Sequence, residues 1–197
     1  MNVGGITSNY PIGYEARKTQ KAVPEQSFAN TMGKTTNVNS KQVFTLHWFD
    51  NELGEKPIGA KGLENGGSTT VYKPVDFDPE NPVYKVRIWD AEGNMTERMV
   101  DISKVDPKNC DVIDMYAYAC HLTDSGEFPD ATFTFMRASC FKQVMENPSN
   151  PGGIRDNCLG KYNWLDVVKG AMQMQYDAGN LAGYLDYKKF WDFLTQR

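Results

Sequence analysis

The spacing of apolar residues divides the chain into three parts. Residues 1–42 alternate small, polar and single apolar positions without a sustained period. From residue 43 the period is two, as in strands, and after residue 105 it is three to four, as in helices. Val43 to Phe49 reads as a strand, with Phe44, Leu46 and Trp48 on one side and Thr45 and His47 on the other. Asp50 to Gly67 is rich in glycine and holds Pro57, so it reads as a loop. Thr69 to Lys73 is predicted as a short strand. Pro74, Pro79 and Pro82 then exclude both helix and central strand from the connector that follows.

The strongest local pattern is a β-hairpin. Val83 to Asp90 places Tyr84, Val86 and Ile88 on one face and Lys85, Arg87 and Trp89 on the other. Ala91-Glu92-Gly93-Asn94 has turn chemistry, with Gly93 able to take a positive φ, and Met95 to Ile102 returns. Helical spacing follows. Asp106-Pro107 predicts a first helix that ends at Gly126, carrying Val112, Met115, Tyr116 and Ala119 in one stripe. Pro129 predicts a second, with Phe133, Met136, Cys140, Phe141 and Val144. Asn163 caps a third that closes at Gly179, and Tyr187, Phe190, Trp191 and Leu194 mark a short fourth. Strands first and helices later predict an α+β fold. The expected organisation is an N-terminal arm, 1–42, and one domain, 43–197, with strands in 43–104 and about four helices in 105–197.

Within the arm one stretch has helical character. Pro24 can open a turn or two, Phe28 and Met32 lie four apart, and Gly33 can end it. Such a short helix holds only when docked, so Phe28 and Met32 are candidate contact residues. Charge sharpens the division. The whole chain carries −4, but residues 1–42 carry +3, 43–104 carry −4 and 105–197 carry −3. The overall sign and size argue against nucleic acid as a partner. No stretch reaches the roughly 20 apolar residues of a membrane span, and the start lacks the apolar core of a secretory signal. A cytoplasmic protein is expected, with signal-less export by a flagellar-type route as the alternative. Cys110, Cys120, Cys140 and Cys158 are widely spaced and read as reduced and mostly buried.

Candidate chemistry is thin. Asp76-x-Asp78-x-Glu80 imitates the opening of a calcium-binding loop, yet Asn81 stands where glycine is needed and Arg87 where the bidentate glutamate belongs. No cysteine or histidine pair has zinc-ligand spacing. Cys120 and His121 are neighbours in a helix, so their side chains diverge by about 100° and cannot pair. Asp111 with Asp114, and Asp186 with Asp192, read as helix caps and solvated charges. The glycines from Gly59 to Gly67 lack the Lys-Ser/Thr of a phosphate loop. No catalytic residue, metal site or cofactor is expected. Lys85, Arg87 and Trp89 form a possible interaction surface on the hairpin. The aromatics Tyr176, Tyr184, Tyr187, Phe190, Trp191 and Phe193 match a helical core stripe better than a sugar cleft.

Three stretches carry a resemblance: Val71 to Tyr84, Met99 to Pro107, and Met174 to Leu181, together with the opening Gly4-Gly5-Ile6 and Gly13-Tyr14-Glu15. They resemble an uncharacterised protein family of anaerobic Firmicutes. The resemblance spans most of the chain and implies no activity and no site residue. The leading expectation is a non-enzymatic interaction protein whose arm contacts another protein. A small-ligand binder or enzyme with a cleft between the hairpin and the C-terminal helices is the alternative, with Trp89, Arg87, His47 and the tyrosine-rich C-terminal end as its candidates. A structural or assembly subunit is a third.

Overall fold

The computed structural model describes residues 54–146, 148–149 and 159–196. The predicted strand over Val43–Phe49 and the contact residues Phe28 and Met32 lie outside the described residues. Four strands, β1 (Lys56–Gly62), β2 (Ser68–Lys73), β3 (Val83–Trp89) and β4 (Met95–Asp101), form one antiparallel sheet in the order β1-β2-β3-β4. Four helices follow: α1 (Val112–Ser125), α2 (Ala131–Glu146), α3 (Trp164–Asp177) and α4 (Leu181–Thr195). The fold is α+β, as its order of periods predicts.

The hairpin forms where expected. Tyr84 pairs with Val100 and Val86 with Arg98 across β3 and β4. The turn closes with Asp90 N–H donating to the Asn94 carbonyl at 3.0 Å, while Gly93 takes a φ of +88°. The Asp90 carboxylate also accepts from the Asn94 amide at 2.7 Å, fixing the loop locally.

The glycine-rich stretch read as a loop contains a strand instead. β1 pairs with β2 from Lys56 opposite Lys73 to Gly62 opposite Ser68, with an irregularity between Pro57 and Gly59. Proline is tolerated because, among the described strands, β1 is at the edge. Gly59 is there for closeness. A β-carbon at that position would lie 2.3 Å from Cys120 Sγ and 2.9 Å from the Tyr116 hydroxyl. Glycine lets α1 settle directly on the strand, which is a packing reason that a turn-based reading does not detect.

The expected first helix also starts later. Asp106 and Pro107 form a turn, with Asn109 N–H donating to the Asp106 carbonyl at 2.9 Å. The carbonyls that a helix would use internally are taken elsewhere. Pro107 accepts from the Trp164 amide at 2.8 Å, and Cys110 from the Tyr162 amide at 3.0 Å and the Trp164 indole at 3.1 Å. The helix begins at Asp111, whose Oδ1 caps the amides of Ile113 and Asp114, both at 2.9 Å. Arg98 of β4 donates to Asp111 at 2.7 Å and Asp114 at 2.9 Å, tying the sheet to that helix end.

α1 is buried almost all round, from Val112 to Leu122 with only Asp114 partly exposed. It packs against both the sheet and α2, so it is the spine of the core. Val71, Tyr84 and Val86 meet it from the sheet, and Phe135, Trp164, Val168 and Phe190 complete the core from the other helices. Phe135 and Trp164 meet edge to face at 4.9 Å between ring centres. The last helix is longer than expected: α4 starts after the Asn180 cap and runs for 15 residues. Its first turn is exposed, with Leu181 at 63%, so it carries no apolar stripe to betray it. No helix among the described residues is long and apolar enough to cross a membrane.

Candidate functional site

On the α1 side of the sheet, the strand that begins after Pro82 points Tyr84 towards the C-terminal half of α1. There Tyr118, His121 and Asp124 recur every three residues and share a face. The proline-restricted connector between β2 and β3 arches over this point and brings the Phe77 ring to 4.9 Å from that of Tyr84. Residues 102–108 wall the opposite side, and Leu165 and Leu194 reach in from α3 and α4. Together these segments enclose a cleft of about 760 Å³. That volume falls in the range of small-molecule sites, and the walls have the matching character: aromatic and aliphatic, with a few polar groups converging.

Two linked polar sets line the cleft. In the first, the Tyr84 hydroxyl lies 3.0 Å from His121 Nδ1, with the rings edge to face at 5.7 Å. Nε2 of the same imidazole lies 3.5 Å from Glu127 Oε1. The proton positions follow from the neighbours. Burial, and then the charge of Asp124, push the Tyr84 phenol above its usual range, so it stays protonated. A protonated phenol donates to Nδ1 when the imidazole carries its proton on Nε2, the tautomer that also presents N–H to the Glu127 carboxylate. In the second set, Lys73 Nζ donates to Asp124 Oδ2 at 2.7 Å and sits 4.5 Å from the centre of the Phe77 ring. Lys56 approaches Asp124 Oδ1 only to 3.9 Å.

The thiol next to His121 does not join them. Cys120 faces β1, against Gly59 and Tyr116, so the divergence expected from helical geometry is what the structure has. Burial pushes its thiol up to about 12, and Cys110 likewise to about 12, so neither is a nucleophile near neutrality. Among the described residues there is no group of three or more histidine, cysteine, aspartate or glutamate side chains placed to hold a metal ion. In the acidic connector, Asp78 accepts from the Glu80 amide at 2.9 Å and the Asn81 side chain at 2.8 Å. The Asn81 hydrogen bond, then the Glu80 amide, hold its carboxyl below the usual range. It closes a turn.

The surface proposed from sequence lies on the other face of the hairpin. Lys85 and Arg87 both pair with Glu55, Arg87 at 3.3 Å, and Arg87 Nε also donates to Glu97 at 2.9 Å. The guanidinium stacks 4.9 Å from the Tyr72 ring, and Trp89 is buried. These cations are engaged within the sheet, and the structure does not bring them to the cleft. His47 lies outside the described residues. The residues that do assemble the cleft (Lys73, Phe77, Tyr84, His121, Asp124 and Glu127) were not singled out from sequence as a site. The one available signal was the three-residue spacing of Tyr118, His121 and Asp124, which is also what a packed helix shows. Comparison with protein-family models, with curated proteins and with solved structures finds no match for this chain.

Proposed function

We propose that the chain is a non-enzymatic binding protein for a small organic molecule held in the cleft between β3, the β2–β3 connector and α1. The observation that carries this is the convergence of two polar pairs, Tyr84 with His121 and Lys73 with Asp124, on one cleft of about 760 Å³ with aromatic and aliphatic walls. The buried Tyr84–His121 pair and the half-buried Lys73–Asp124 pair are partly desolvated, and a ligand that bonds to them recovers part of that cost. Binding without chemistry fits the side chains present: both described buried thiols are inert, and the phenol is held protonated. This reading takes up the cleft anticipated between hairpin and C-terminal helices and replaces its residues.

The neutral dye N-phenyl-1-naphthylamine tests it, because the dye brightens when it enters an apolar site. Saturable 1:1 enhancement is expected with the full chain. Ser103 lines the cleft and is exposed, so Ser103→Trp fills the mouth without burying new polar groups. That variant should lose most of the enhancement while its far-ultraviolet circular dichroism and melting temperature stay unchanged. Dye binding that ignores Ser103→Trp, or no saturable binding at all, would refute the proposal.

A further inference from the structure

We infer that the cleft selects a cation, specifically a primary amine or ammonium group carried on an apolar, preferably aromatic, body. The inference rests on the ligand-binding reading above and adds the ligand's chemical class.

Around Tyr84 and Asp124 the hydrogen-bonding capacity left at the cleft is mostly for accepting. Asp124 Oδ2 is occupied by Lys73, but Oδ1 has only the distant Lys56 ammonium at 3.9 Å, beyond hydrogen-bond length. The Tyr84 hydroxyl, donating a hydrogen bond to His121 in the Nε2–H tautomer, keeps its oxygen lone pairs for a ligand. On the donor side at this end, the Lys73 ammonium is already committed to Asp124 and His121 Nε2 faces Glu127, while Lys108 stands on the 102–108 wall. The carboxylates of Asp106, Asp124 and Glu127 meet only Lys73 and Lys108 as lysines in the lining. An anionic ligand would therefore face more repulsion than attraction, whereas an ammonium ligand would find a carboxylate oxygen and aromatic faces.

The protein itself shows the mode. Lys73 Nζ is held between the Asp124 carboxylate at 2.7 Å and the Phe77 ring at 4.5 Å, with the Tyr84 ring tilted against Phe77. A carboxylate combined with an aromatic face is the arrangement that binds ammonium ligands. Lys73 is one-third exposed and Asp124 about one-sixth, so the pair reaches the solvent side of the cleft and is open to exchange. A ligand amine either takes Oδ1 beside Lys73 or displaces it, and in both cases Lys73 acts as an internal competitor.

That role sets the sign of the test. Three probes of matched shape are titrated into the 15N-labelled full chain: phenethylamine, 2-phenylethanol and phenylacetate. The amine should bind about tenfold more tightly than the alcohol, the scale of one charge-assisted hydrogen bond, and phenylacetate should bind most weakly. Asp124→Asn should bring the amine down to the level of the alcohol and leave the alcohol unchanged. Lys73→Met should raise amine affinity several-fold, whereas a site for anions would lose affinity on that change. Equal binding of amine and alcohol, or phenylacetate as the tightest probe, overturns the cation inference. If N-phenyl-1-naphthylamine still binds in that case, the cleft reading survives alone. If the dye does not bind, the cleft reading falls, and this inference with it.

Discussion

At Gly59 the absence of a side chain lets a helix and a strand touch. Replacing it with alanine puts a methyl group 2.3 Å from Cys120 Sγ and 2.9 Å from the Tyr116 hydroxyl, both buried and neither able to withdraw freely. Alanine recovers about 0.5–1 kcal/mol of backbone entropy relative to glycine, but overpacking a tight core costs about 1–3 kcal/mol. Gly59→Ala is therefore expected to be destabilising by about 1–2 kcal/mol in urea unfolding. Cys120→Ala removes the nearer obstacle, so Gly59→Ala should cost less in that background; simple additivity of the two changes would refute the contact. The same residue shows why sequence reading mistook this stretch. Glycine serves turns and close approaches alike, and only the partner, sixty positions away on α1, distinguishes them. His121 was ambiguous in the same manner. Its helical neighbours give its direction, but its polar contacts come from Tyr84 on a strand and Glu127 beyond the helix end.

Individual elements were legible where their determinants are local. The β3–β4 hairpin depends on alternation and on the Asp90–Asn94 turn, and α3 on the Asn163 cap, whose Oδ1 accepts from the Leu165 amide at 3.2 Å. Their boundaries follow from residues within a few positions. α1 shows the opposite case: Asp106-Pro107 satisfies the local rule for a helix start, but α3 claims the carbonyls of Pro107 and Cys110 and moves the start to Asp111. That cap carries two loads, one from the Ile113 and Asp114 amides and one from Arg98. Asp111→Ala removes both and should cost about 1–2 kcal/mol through the lost cap alone, with the unpaired Arg98 adding to it. Asp111→Asn keeps an acceptor for the amides and loses only the charge opposite Arg98. It should cost clearly less. Urea midpoints at neutral pH measure the order, and equal losses would mean that the ion pair, rather than the cap, holds this helix end.

For the whole molecule, the cleft was the least legible feature, because it draws on β2, the connector, β3, residues 102–108 and three helices. No window of sequence contains it, and the aromatics that line it have the same periodicity as core residues. The burial that joins these segments also gives the protein a distinct response to alkali. An unfolded thiol titrates near 9.0, whereas burial lifts Cys110 and Cys120 in the folded chain to about 12. The Tyr84 and Tyr116 phenols are pushed up for the same reason. Between pH 9 and 12 the unfolded chain therefore holds fewer protons than the folded one, and stability must decrease as pH rises through that window. Below about pH 8 these four groups are protonated in both states and contribute almost no slope. The urea midpoint is expected to show almost no contribution from them between pH 7 and 8, to start falling as the unfolded thiols ionise towards pH 9 and to fall more steeply above it. Cys110→Ala lowers the midpoint at pH 7 by leaving a cavity, yet it removes one of the titrating groups, so its midpoint should fall less steeply above pH 9 than that of the parent. A parent midpoint constant to pH 11, or a variant with the same alkaline slope, would show that these thiols are not buried in the native core.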